Sequence, residues 1–206
     1  MPDPTTPGDN PPAAPTPLGL SPTKLAAFRA NLTGLTASQQ QRTKFRMMRA
    51  FLPTFAKEAL RGPPEYGNKY LLGPHHLEWG RAVNKHSRIL ALAARDHGKS
   101  YFFIFAYALW MAAVRAPGRE GYVFSATDQQ AKDHLKKIRD EVVGTGNKPA
   151  NPKLSHLLPL KKDSDRMLIF ANGSVIKARG FGSKVRGGHP FWAVGDDMLN
   201  DEHIWS

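Results

Sequence analysis

One stretch constrains this chain more than any other: Ala93-Ala94-Arg95-Asp96-His97-Gly98-Lys99-Ser100, set between two apolar runs. It matches the phosphate-loop pattern G-x-x-x-x-G-K-[ST], except that Ala93 stands where the first glycine belongs. Residues 88–94 (RILALAA) read as a strand, and residues 100–114 as a strongly apolar helix, which is the order such a loop requires. Gly98 permits close backbone approach, and the amides after it open a helix whose N-terminus attracts anions. Lys99 is then placed for terminal phosphates and the Ser100 hydroxyl for Mg²⁺. Ala93 tolerates positive φ poorly, so the loop is expected to turn differently there. Arg95 adds a second cation.

A phosphate loop needs a carboxylate from a neighbouring strand. Residues 191–197 (FWAVGDD) form an apolar run ending in paired acids, Asp196 to hold the Mg²⁺ hydration shell and Asp197 to orient the attacking water as general base. Asp196, Asp197, Asp201 and Glu202 sit too close in sequence for a two-metal nuclease cluster, which draws its carboxylates from separate elements.

Between these sites the chain alternates. Residues 121–126 (GYVFSA) read as a strand and 129–143 as a helix with Leu135, Ile138 and Val142 on one side. Residues 167–171 and 175–178 flank Asn172-Gly173, the most favoured hairpin-turn pair. The expected fold is therefore α/β, a mainly parallel sheet with one inserted hairpin.

Upstream, residues 1–22 hold eight of the chain's prolines and almost nothing to bury, so they read as a disordered tail. Residues 23–64 read as a helical segment. Phe45, Met48, Phe51 and Leu52 give it an apolar side, Lys44, Arg46 and Arg49 a solvated basic face, and Arg61-Gly62-Pro63-Pro64 a boundary. Residues 65–206 are assigned to the phosphate-loop domain.

Composition narrows the partners. The net charge of +12 falls wholly after residue 40, on the expected folded part, and points to polyanions. Lys132, Lys136, Lys137, Arg139, Lys161, Lys162, Lys177, Arg179 and Lys184 are candidates for backbone contact with nucleic acid. The absence of cysteine excludes disulfides, thiolate zinc sites and a cysteine nucleophile, and the histidines lack zinc spacing. The 14-residue apolar run 101–114 is shorter than the roughly 18–20 residues a spanning helix needs, and the N-terminus carries no secretory signal, so no membrane partner is expected.

Taken together, the loop with its basic residue, the acids and the pieces between them resemble the large subunit of viral terminases, the DNA-packaging motors of phages and herpesviruses, over about 130 residues. The resemblance rests on the order of the pieces. It includes Pro74-His75-His76-Leu77-Glu78-Trp79 before the loop, Ser125-Ala126-Thr127-Asp128-Gln129-Gln130-Ala131, the hairpin at Asn172-Gly173, and Gly180 to Gly187. It implies a P-loop ATPase using ATP and Mg²⁺. Ala94, Arg95, Asp96, His97, Gly98, Lys99 and Ser100 would bind the nucleotide, His76 would lie on the helix that contacts the base, and Ser100 and Asp196 would hold the metal. Asp197, Arg95 and Arg186 would be catalytic, with Arg186 matching a finger that acts on a neighbouring subunit. It also implies double-stranded DNA, a homo-oligomeric ring on a portal, a small terminase subunit, and action in the host cytoplasm. The family's coupling motif and nuclease domain would follow the acids, so these residues correspond to the N-terminal ATPase part, with the sheet short of its last strands. A helicase-type ATPase shares the loop and acids, and a DNA-binding fragment without turnover is the third reading.

Overall fold

A computed structural model describes residues 35–62, 69–183 and 188–198, together with Thr23. The proline-rich tail, Arg186, Lys184, Asp201 and Glu202 lie outside the described residues.

Two helices open the described chain, α1 (Ala37–Ala50) and α2 (Leu52–Ala59). Thr36 caps α1 reciprocally with Gln39: the Gln39 amide donates to Thr36 Oγ1 at 3.3 Å, and the Thr36 amide to Gln39 Oε1 at 2.8 Å. Extended Phe51 separates the helices, and Pro53 sits in the first turn of α2, where its missing N–H costs nothing. After α3 (Pro74–Lys85) and the loop comes α4, one helical rod over 101–115. It is π-helical over Tyr101–Tyr107, α-helical over Ala108–Trp110 and π-helical again over Met111–Arg115. Nearly all its apolar side chains are buried, the mark of a central core helix. No helix among the described residues is long and apolar enough to cross a membrane.

The sheet holds β1 (Glu120–Ser125), β4 (Leu160–Asp163), β5 (Met167–Phe170), β6 (Val175–Gly180) and β7 (Trp192–Asp196), in spatial order β4-β5-β6-β1-β7. β1 runs parallel to both β6 and β7, whereas β4, β5 and β6 are antiparallel. This is α/β architecture with a mixed sheet, and the hairpin turns at Asn172-Gly173 with Gly173 at φ +84°. α5 (Asp128–Val143) crosses from β1 and buries Ala131, Leu135, Ile138 and Val142. The short β2 (Gly144–Thr145), β3 (Lys148–Pro149) and α6 (Pro152–Leu157) then lead to β4; the sequence reading did not resolve these four elements. One apolar core joins Met48, Leu52 and Phe55 to Trp110, Leu135, Phe170 and Ile176.

The strand expected at 88–94 does not form. Those residues pair with no strand among the described residues, and Leu90 and Leu92 are each 85% exposed. β7 hydrogen-bonds only to β1 and ends the described sheet. Residues 89–92 line a groove of about 480 Å³ together with residues 193–198 of β7 and its end. An apolar run becomes a strand only when a neighbour supplies ladder partners, and here the groove separates residues 89–92 from β7, with which they form no ladder.

Candidate nucleotide site

Where β1 and β7 end, the register sets Ser125 beside Asp196. The buried Ser125 hydroxyl donates to the Asp196 carbonyl at 3.2 Å, so the end of β1 fixes the backbone that carries the acid. Asp196 is only 7% exposed, whereas the Asp197 side chain, at φ +44°, is 77% exposed. The left-handed backbone turns the second acid out of the strand.

Lys99 reaches this pair from the start of α4. Its Nζ lies 3.4 Å from Asp196 Oδ1 and 3.8 Å from Asp197 Oδ1. The lysine and both acids proposed from sequence thus meet at one point. Ser100 follows Lys99 at the head of α4, and the Phe102 amide donates to the Gly98 carbonyl at 2.8 Å, joining loop to helix. Positive φ falls on Asp96 (+64°) and Gly98 (+72°), and Ala93 does not adopt it, so the missing first glycine leaves no strain at that position. Ala94, Arg95, Asp96 and His97 are exposed along the loop.

Histidines hold the loop from the α3 side. A His97 ring N–H donates to the Arg95 carbonyl at 3.0 Å, closing the turn around Asp96, and His75 Nε2–H donates to the His97 carbonyl at 3.2 Å. His76 Nδ1 accepts the Gly73 amide at 3.0 Å, which leaves the proton of the neutral ring on Nε2. That Nε2 faces Gly98 so closely that a Cβ there would stand 3.2 Å away. Burial, then the neighbouring His75 and His97, hold the His76 imidazole down at about 4. Beyond the loop, Tyr70, Leu71, His75, His76 and Tyr101 line a cavity of about 380 Å³, and Tyr70 stacks on Tyr101 at 5.3 Å.

One neighbour escaped the sequence reading. His134 on α5 lies within the field of Asp196 and Asp197, while burial first and Lys137 second lower its imidazole below the ordinary value. It sits at the margin of the buried face, three residues after Ala131 and four before Ile138, a spacing that carries no signal of the acids beyond the helix. Gln130, whose Oε1 lies 3.3 Å from Ser125 Oγ, was legible only as part of the 125–131 segment.

The donor set suits Mg²⁺: a hydroxyl and a carboxylate are hard oxygen ligands for an ion that keeps much of its water. Among the described residues no group of three or more His, Cys, Asp or Glu could hold a metal alone.

Four of the nine cations expected to grip nucleic acid are already matched by carboxylates, whereas Lys137, Lys161, Lys162 and Arg179 form no ion pair among the described residues. Lys132 pairs with Asp165 at 2.8 Å, Lys136 with Asp140 at 2.7 Å, Arg139 with Asp140 and Asp163 at 3.2 and 3.3 Å, and Lys177 with Glu120 at 2.8 Å. No protein-family model matches this chain, and comparison with curated proteins finds no significant match.

Proposed function

We propose that the chain binds ATP with Mg²⁺ at the Lys99–Asp196–Asp197 junction and hydrolyses it, as the ATPase part of a motor resembling the viral terminase large subunit. The observation that carries this reading is the meeting of the loop lysine with two acids at the end of a parallel strand. Ligands of open α/β sheets bind at the carboxyl ends of the strands, where both acids stand. In this reading the base would occupy the cavity lined by Tyr70, His75 and Gly98, and the phosphates would run from there toward Lys99 and Asp196.

In that arrangement Lys99 exchanges its carboxylate partners for β- and γ-phosphate oxygens, and the loop amides donate to the same oxygens. Asp197 orients a water in line with the γ-phosphorus and takes its proton. The water oxygen bonds to phosphorus as the bond to the bridging oxygen breaks, and ADP and phosphate leave. Ser100 and, through water, Asp196 would hold Mg²⁺, which would supply charge neutralisation on the phosphates. Arg95, exposed on the loop, adds positive charge from within the same chain. The DNA partner, ring assembly, small subunit and host-cytoplasmic setting belong to the same proposal.

Titration of labelled ATP against wild type and Lys99→Ala tests it. Saturable binding by wild type and its loss in the variant is the expected result; equal binding by both would remove the loop from the mechanism.

A further inference from the structure

We propose that Arg42, Arg46 and Arg49 on α1, with Phe45 among them, form the surface that receives the phosphate backbone of duplex DNA. The surface stands on charge and geometry, and the choice of duplex rests on the motor reading above.

Helix α1 contains Arg42, Lys44, Arg46 and Arg49 and not one acid. Positions 42, 46 and 49 follow i, i+4, i+7, so the three guanidinium groups share one stripe. At 1.5 Å rise per residue the stripe is about 10 Å long, roughly three phosphate steps along one strand of B-DNA.

The opposite face is fixed. Met48 is buried, Trp110 Nε1–H donates to its carbonyl at 2.7 Å, and Asn84 Nδ2 donates to the Ala50 carbonyl at 2.8 Å. Lys44 turns the other way, to Glu58 at 2.6 Å. What remains outward is arginine. Arg42, Arg46 and Arg49 are exposed and have no hydrogen-bond or ion-pair partner among the described residues, and Phe45 is 41% exposed between them.

The contrast with α5 favours α1, because of the four Lys and Arg side chains of α5 only Lys137 is unpaired among the described residues. Lys132, Lys136 and Arg139 each face a carboxylate of this chain, so a phosphate there must first displace an existing partner. The α1 arginines have no carboxylate to give up among the described residues, so phosphate binding there is driven by release of the duplex's own condensed counterions. Guanidinium groups also grip phosphate through paired N–H donors, and contacts to the backbone alone let a protein move over any sequence.

The test is anisotropy of a labelled mixed-sequence duplex over a series of salt concentrations, using the full chain. The proteins are wild type, the triple variant Arg42→Gln/Arg46→Gln/Arg49→Gln, and a control triple variant Lys132→Gln/Lys136→Gln/Arg139→Gln. Glutamine keeps helix propensity, and circular dichroism checks that α1 persists. The slope of log affinity against log salt is expected to flatten by about 2.7 in the α1 variant, about 0.9 for each arginine, and to change little in the control. A wild-type slope in the α1 variant, or equal flattening in the control, overturns the surface. Wild type that ignores the duplex at low salt overturns the DNA partner itself. Tighter capture by phosphatidylserine vesicles than by duplex overturns the choice of occupant in favour of a membrane.

Discussion

Lys99 Nζ stands 3.4 Å from Asp196 Oδ1, joining the phosphate loop to the end of β7. In the proposed site the lysine would leave Asp196 for phosphate and the acid would turn to Mg²⁺, and the two roles are separable. Asp196→Asn is expected to leave metal-free nucleotide binding within a few-fold of wild type while lowering Mg²⁺-dependent hydrolysis by roughly 10²-fold or more. Lys99→Ala should lose both. Calorimetric titration with and without Mg²⁺, alongside phosphate release, separates them; an Asp196→Asn variant that hydrolyses normally would sink the metal assignment.

His76 gives the loop a dependence on acid. An unfolded chain protonates this imidazole near 6.5, whereas the folded chain resists until about 4. Above the higher value both states are neutral and the residue adds no pH dependence. Between the two the unfolded state binds more protons, so stability falls as pH falls, and the contribution is gone below about 4. Urea midpoints across that window should drop more steeply for wild type than for His76→Gln; parallel curves would show that burial of this ring is not the cause.

Gly121 pairs in register with Trp192, and a Cβ on Gly121 would fall inside the indole. Gly121→Ala should cost about 1–3 kcal/mol by overpacking. Because the β1–β7 ladder also positions Asp196, ATP affinity should fall together with the melting temperature. Unchanged melting would mean that the indole has room to rotate away.

Turnover by isolated chains should be slow if the finger comes from a neighbour. Arg186, assigned that role from resemblance, is expected to raise the rate per chain, by up to ~10³-fold, as concentration favours assembly. Measuring ATPase rate against protein concentration for wild type and Arg186→Ala decides it. A flat rate, or a fully active variant, leaves the trans finger unsupported.

Much of this site was legible because its signals are local. The Gly98-Lys99-Ser100 turn, the paired acids ending an apolar run and the Asn172-Gly173 hairpin each need only neighbours along the chain. Residues 88–94 carried an equally strong apolar signal and yielded no strand, since alternation of side chains says nothing about whether a ladder partner lies alongside.

By itself the sequence determined which segments could bury apolar faces, where the loop would turn and which residue types could meet phosphate and metal. Tertiary structure alone decided that Lys99 faces Asp196, that Ser125 fastens the strand end, that His75 braces the loop from α3, and that Lys132, Lys136 and Arg139 of α5 pair with carboxylates while the α1 arginines stay open. The reason is physical: turn chemistry and periodicity act over a few residues, whereas the balance between charges depends on distances that only the packed chain fixes.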